Sequence, residues 1–124
     1  MVDDKKTLSG TISFLTSEAF KYHQEGNLKE AKNIYEQILE HKPKHFDALQ
    51  LLGILYGQIN EKDKAIKLLE LALQIKPDDA PTLNNYGVIL TEVNRTNDSY
   101  EALDKATNIK PDYAEAYSNK GNTL

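Results

Sequence analysis

The chain has 124 residues, 40% of them hydrophobic and 27% charged, a balance that suits one globular domain with a single modest core and is too apolar for a disordered chain. A formal net charge of −4 leaves no basic field to recruit nucleic acid or an anionic membrane surface. Cysteine is absent, which removes disulfides, thiolate nucleophiles and zinc–thiolate sites together and accords with a reducing compartment.

The amino terminus reads Met-Val-Asp-Asp-Lys-Lys with no apolar run directly behind it, so no secretory signal is predicted and a cytoplasmic location is expected. Residues 1–10 are predicted to form a loose leader. From Ile12 onward the sequence repeats. Lys42-Pro43, Lys76-Pro77 and Lys110-Pro111 recur every 34 residues, and the same period relates Leu15, Leu49 and Leu83; Ala19, Gly53 and Gly87; Ala31, Ala65 and Ser99; and Ile38, Ala72 and Ala106. Self-similarity of that length marks a stack of helical units.

The first unit spans 12–45, the second 46–79 and the third 80–113, and residues 114–124 open a fourth. In the second, Leu49, Leu52, Gly53 and Tyr56 stand at i, i+3, i+4 and i+7 on one helical face, and Ala65, Leu68, Leu69, Ala72 and Ile75 make another. Between the two faces lies Asn60, with Gly26 and Asn94 in its column, residue types that tolerate a left-handed backbone at a helix end. Asp63 and Asn97 are predicted to cap the second helices by accepting from their first free amides, with Lys29 a weaker counterpart. Each proline closes its unit because it cannot donate to a continuing helix. Small residues at Gly53 and Ala72, and at Gly87 and Ala106, are predicted to let paired helices approach closely. A two-helix unit cannot bury both of its apolar faces alone, so neighbouring units must stack. The most apolar stretch, 48–59, holds twelve residues, short of the roughly 20 that span a bilayer.

This pattern resembles the tetratricopeptide repeat family, whose unit shows an aromatic or leucine, then Leu-Gly, Tyr, Ala, an aromatic or leucine, Ala and Pro. The second unit matches it through Leu49, Leu52, Gly53, Tyr56, Ala65, Leu69, Ala72 and Pro77. The first matches through Leu15, Ala19, Tyr22, Ala31, Tyr35, Ile38 and Pro43, with Glu18 where leucine is usual. The third matches through Leu83, Tyr86, Gly87, Leu90, Leu103, Ala106 and Pro111, with Ser99 for the usual alanine. The resemblance implies an all-α fold, a right-handed α-solenoid of antiparallel helix pairs with about three and a half units. In such solenoids the first helices line a concave groove, and their second, fifth, ninth and thirteenth positions face a bound peptide. Those positions are Ser13, Thr16, Phe20 and Gln24; Asp47, Gln50, Ile54 and Gln58; Pro81, Asn84, Val88 and Glu92; and Glu115, Ser118 and Asn122.

Amides at Gln50, Asn84 and Asn122 can pair with a peptide backbone, and Phe20, Ile54 and Val88 offer apolar anchors. A subset of the family grips terminal carboxylates with lysine and asparagine at the fifth and ninth positions of the first unit. Thr16 and Phe20 stand there, so no such clamp is expected. Asn84-Asn85, Ser118-Asn119 and Asn122 are similar to the repeats that precede the catalytic part of O-linked N-acetylglucosamine transferases, where asparagines matching Asn85 and Asn119 hold substrate backbone. Ser17 and Leu51 occupy that column in the first two units, which leaves the ladder incomplete.

No phosphate-cradling glycine loop, metalloprotease helix motif or nucleophile elbow occurs, so neither an enzyme nor a cofactor is expected. His41 and His45 are four apart, but Pro43 between them ends the helix that would align their rings, so no metal site is expected either. The expected function is a protein–protein interaction module that binds a partner peptide or protein segment in the groove. Alternatives are a substrate-targeting portion of a larger glycosyltransferase-like enzyme, favoured by the lack of a helix stop at Leu124, and a scaffold that self-assembles through its C-terminal end. Tyr113 and Tyr117 are expected to cover the open face of the third unit.

Overall fold

The computed structural model describes the backbone of residues 4–123 and the side chains of residues 10–123. Seven helices occupy the described residues: α1 Asp4–Gln24, α2 Leu28–His41, α3 Phe46–Gln58, α4 Lys62–Ile75, α5 Ala80–Glu92, α6 Thr96–Ile109 and α7 Ala114–Gly121. Each touches the next, as the short connections require. The odd-numbered helices also meet in series, α1 with α3, α3 with α5 and α5 with α7, whereas α2, α4 and α6 do not meet one another. Close inner helices and splayed outer ones bend the stack, and α1, α3, α5 and α7 line its concave side. The architecture is the all-α solenoid of helix pairs expected from the repeat.

The loose leader expected over residues 1–10 is replaced, from Asp4, by the first turns of α1. No proline interrupts residues 5–9, and Gly10 costs a helix interior only about 1 kcal/mol. Residues 1–3 and Leu124 lie outside the described residues.

The turns inside each pair are built as expected and capped differently. Gly26, Asn60 and Asn94 adopt φ of 81°, 67° and 64°. At Asn60 the amide donates to the Gly57 carbonyl at 3.2 Å and the next amide, Glu61, to the Tyr56 carbonyl at 2.8 Å. This is the Schellman closure of a helix end, and the same bonds recur at Gly26 and Asn94. The closure leaves one residue before the next helix. Glu61 and Arg95 therefore hold the N-cap positions of α4 and α6 without a side-chain cap bond, and Asn27 does so for α2. The caps predicted at Asp63 and Asn97 do not form, because both residues already lie inside the first turn. Side-chain caps serve the inner helices α3 and α5 instead. His45 Nδ1 accepts from the Ala48 amide at 3.2 Å, and the Asp79 carboxylate accepts from the Thr82 amide at 3.2 Å. Two lysines of the recurring Lys-Pro pair lie over aromatic rings, Lys76 over Phe46 at 4.3 Å and Lys110 over Tyr113 at 4.9 Å, a cation–π contact.

The glycines of the repeat mark where the paired helices touch. A Cβ built on Gly53 would stand 2.9 Å from Leu69 Cγ, and one on Gly87 would stand 2.6 Å from Leu103 Cγ. The atoms nearest these points belong to the leucines of α4 and α6, and Ala72 and Ala106 on the same helices are fully buried. Gly57 makes the equivalent approach between α3 and α5, 3.0 Å from Ile89 Cδ1. Ser99, in the alanine column, is fully buried. Its hydroxyl donates to the Gly87 carbonyl at 2.6 Å and lies 2.6 Å from the Thr91 hydroxyl, so a polar atom in the core is satisfied.

A carboxylate column joins successive units. Glu36 accepts from the Tyr56 hydroxyl at 2.9 Å, Glu70 from the Tyr86 hydroxyl at 2.8 Å, and Asp104 from the Lys120 ammonium at 2.7 Å. Burial pushes the Tyr35 hydroxyl up to about 12. Tyr56 and Tyr86 also reach about 12, through burial first and then through the carboxylates they bond. Below the ordinary tyrosine value of about 10, folded and unfolded chains both hold these protons, and the three tyrosines add no pH dependence. Between about 10 and 12 the unfolded chain releases them while the fold retains them, so stability falls as pH rises through that window. An alkaline titration followed by helical circular dichroism and tyrosinate absorbance is expected to show unfolding and ionisation in step. Ionisation of all seven tyrosines with the helix signal intact would contradict this.

Among the described residues no helix is long and apolar enough to cross a membrane.

Candidate functional site

The concave face carries two recesses, set side by side across α3. The first, about 410 Å³, is lined by Thr16, Ser17, Phe20, Lys21 and Gln24 of α1 with Asp47 and Leu51 of α3. The second, about 320 Å³, is lined by Ile54, Gly57 and Gln58 of α3 with Asn85, Val88, Ile89 and Glu92 of α5. Each mixes apolar walls with a few polar groups, the composition of a site that holds side chains of a ligand.

Of the residues read from the sequence, Thr16, Phe20, Gln24 and Asp47 meet in the first recess, and Ile54, Gln58, Asn85 and Val88 meet in the second. The Thr16 hydroxyl donates to the Ile12 carbonyl of its own helix at 2.7 Å. Gln58 is held from behind: its Oε1 lies 2.6 Å from His23 Nε2, and His23 Nδ1 lies 3.1 Å from the Tyr35 hydroxyl. With Nε2–H donating to Gln58, Nδ1 accepts from Tyr35, and Gln58 so held lines the second recess.

Two of the expected donors serve the fold. Gln50 donates to the Thr82 hydroxyl at 2.8 Å and to the Asp79 carboxylate at 3.4 Å, tying α3 to the cap of α5. Asn84 is 1% exposed. Its amide donates to Glu115 at 3.2 Å and its oxygen accepts from Asn119 at 2.9 Å, so Asn84 is a clasp between α5 and α7 and not a groove donor. Asn119 is half-buried by the same bond, while Ser118 and Asn122 are exposed on α7 and its end, outside both recesses.

Lys21, Leu51, Gly57 and Ile89 line the recesses although the groove positions pass over them. They follow Phe20, Gln50, Tyr56 and Val88, and Ser17 follows Thr16. The column of Ser17, Leu51 and Asn85, one residue after the fifth position, points to Ser17 and Leu51, whereas Lys21, Gly57 and Ile89 lie in other columns that carried no such signal. His41 and His45 border a separate recess of about 600 Å³ with Phe46 at the turn between α2 and α3, where His45 is occupied as the cap of α3.

Tetratricopeptide repeat models match residues 22–85 and 80–113. The chain belongs to the tetratricopeptide repeat family. Among solved structures, this tetratricopeptide repeat chain is similar over its full length to an O-GlcNAc transferase mutant of Thermobaculum terrenum, at 27% identity and a TM-score of 0.91, and covers 23% of that protein. It is similar over 94% of its length to pilF of Pseudomonas aeruginosa, at 26% identity and a TM-score of 0.83, and covers 54% of it. The first TPR of Spaghetti, solved with an HSP90 peptide bound, shares the fold at 16% identity and a TM-score of 0.87, with 98% of this chain and 93% of that one covered. The chain thus spans about a quarter of the transferase and about half of pilF. No curated protein matches it.

Proposed function

We propose that the concave face holds an extended or helical segment of a partner protein, in the cytoplasm, and that these residues carry no chemistry of their own. The observation that carries the reading is the pair of recesses on α1, α3 and α5, each with apolar walls beside an amide, Gln24 in the first and Asn85 in the second. Amides bond a peptide backbone without regard to its sequence, and the apolar walls select its side chains. Thr16 and Phe20 stand where the carboxylate-gripping lysine and asparagine of other repeats would be. The cation that does line the first recess, Lys21, lies beside Asp47 and outside those positions, which favours a segment bound along its length over one held by its end.

Selection of a displayed peptide library against the chain, followed by calorimetry of the selected peptides, tests this. Val88→Glu is expected to weaken binding by about tenfold or more, the equivalent of about 1.4 kcal/mol, with the melting temperature little changed because Val88 is half-buried in the recess wall. Peptides that bind the variant as well as the parent would place the binding surface elsewhere.

The likeness to the transferase across the whole chain, with Asn85 in the second recess, supports a second reading, in which the groove presents acceptor segments to a catalytic region. That reading predicts that selected groove peptides become glycosylated by the native-length gene product. Binding without sugar transfer would remove it.

A further inference from the structure

The turns between units share a Lys-Pro pair and then diverge. The second continues Lys76-Pro77-Asp78-Asp79 into Ala80, and the third Lys110-Pro111-Asp112-Tyr113 into Ala114. The first continues Lys42-Pro43-Lys44-His45 into Phe46. A lysine thus stands where the other turns have aspartate, and an aromatic ring where they have alanine, in a chain whose formal net charge is −4. The acids of the second turn are engaged elsewhere. Asp78 pairs with Lys105 at 3.5 Å, and Asp79 accepts from Thr82 and Gln50. Lys76 lies instead over the Phe46 ring at 4.3 Å, which brings a third lysine to the first turn. Among the described residues none of Lys42, Lys44 and Lys76 forms an ion pair. In the third turn the ring under Lys110 is closed off, since Tyr113 packs against Ala80 and Leu83. Tyr117, expected to cover the third unit with it, is 48% exposed.

The first turn opens into a recess of about 600 Å³, larger than either recess of the groove, lined by His41, Lys42, Pro43, Lys44, His45 and Phe46. Pro43, Phe46 and the lysine stems give it apolar surface, while the ammonium groups of the exposed Lys42 and Lys44 stay in water. His45 Nδ1 is taken by the Ala48 amide, so the neutral ring carries its hydrogen on Nε2 and adds a donor. We infer that this turn is a second docking surface, which takes an acidic segment of a partner protein with one apolar side chain among its carboxylates. The apolar side chain enters against Pro43 and Phe46, and the carboxylates meet Lys42, Lys44 and Lys76. Charge complementarity identifies the occupant. A basic spot on an acidic chain selects a short run of carboxylates, because a long polyanion such as nucleic acid would also meet the repulsion of the remaining surface. The surface is separate from the groove, since none of the residues lining it lines either groove recess.

The probe is the end-blocked peptide Glu-Asp-Glu-Leu-Glu-Asp-Glu, titrated into the 124-residue chain and followed by nuclear magnetic resonance. Saturable shifts are expected at the amides of residues 41–46 and of Lys76, and the affinity is expected to fall as salt is raised, because exposed charges are screened. The uncharged counterpart Gln-Asn-Gln-Leu-Gln-Asn-Gln is expected not to bind. Lys44→Asp places in the first turn the residue that the other two turns hold, and is expected to weaken binding about tenfold or more. Phe46→Ala likewise copies the other turns and is expected to weaken it by about tenfold. Thermal melts verify that both variants fold. Segments selected for the groove are expected to bind the Lys44→Asp chain as they bind the parent. No saturable binding of the acidic peptide, or equal binding by Lys44→Asp, overturns the inference, and loss in Lys21→Glu instead would move the peptide to the first groove recess. An oligonucleotide that displaces the peptide at equal concentration would assign the turn to a phosphate backbone. A chain that sediments as a dimer abolished by Lys44→Asp, and takes no peptide, would assign it to a second copy. Either result overturns the inference as well.

Discussion

Replacing Leu103 by alanine is expected to cost about 2–5 kcal/mol, and adding Gly87→Ala is expected to return part of that loss. Leu103 is fully buried, and its Cγ and Cδ2 atoms lie 2.6 and 2.7 Å from where a Gly87 Cβ would be. Alone, Gly87→Ala gains up to about 1 kcal/mol of helix propensity but forces the leucine aside, an overpacking loss of about 1–3 kcal/mol. The single variant therefore loses stability. In the double variant the new methyl enters the space that the shortened side chain vacates, so the two losses do not add. Urea denaturation of the four chains gives the coupling directly, expected at about 0.5–3 kcal/mol in favour of the pair. Strict additivity would mean that Gly87 is set by backbone conformation or by the Ser99 bond to its carbonyl and not by contact with Leu103. The same cycle at Gly53 and Leu69 is expected to behave alike, since the geometry repeats.

The parts of the fold legible in the sequence were those written once per unit. Pro43, Pro77 and Pro111, the left-handed Gly26, Asn60 and Asn94, and the glycine and leucine columns each appear three times in register, and a pattern with period 34 is hard to produce without the stack it describes. What was not legible depends on geometry between units. Asp63 and Asn97 carry the right chemistry for caps, but the Schellman closure at Asn60 and Asn94 leaves too few residues for either to stand outside its helix. His45, the actual cap of α3, is not a residue type that cap statistics favour. In the groove, the fifth and ninth positions name Thr16, Phe20, Ile54 and Val88, which line the two recesses. They could not say that Gln50 and Asn84 turn inward to bond the next unit, because a side chain on the inner face of one helix is within reach of the neighbouring inner helix as well as of a ligand. Glu36, Glu70 and Asp104 share a column, and Tyr86 and Lys120 share another, but they are chemically unlike and Tyr56 stands in a third, so the pairing is not written as one residue type per period.

Asn84→Ala is expected to destabilise the chain by about 1–3 kcal/mol, with the loss concentrated in α7. Asn84 bonds Glu115 through its amide and Asn119 through its oxygen, and α7 otherwise rests on α6 and on the small cluster that joins Ala116 with Ala80 and Leu83 of α5. Truncation leaves the Asn119 amide and the Glu115 carboxylate without that partner in a half-buried seam. Amide hydrogen exchange is the measurement that separates a clasp from an ordinary core residue. Exchange across Ala114–Gly121 is expected to accelerate well beyond that of α3, which packs against α1, α2, α4 and α5. Asn84→Asp sharpens the test. Its carboxylate can still accept from Asn119 but faces the Glu115 oxygen from which the amide stood 3.2 Å away, and two like charges at that range disfavour each other. Its loss at neutral pH is expected to exceed that of Asn84→Ala and to shrink on acidification, as protonation of either carboxyl restores a donor between them. If exchange in α7 keeps pace with the rest of the chain in both variants, Asn84 does not hold the last helix. Its amide would then return to the groove as the ligand donor that its position in the repeat implies.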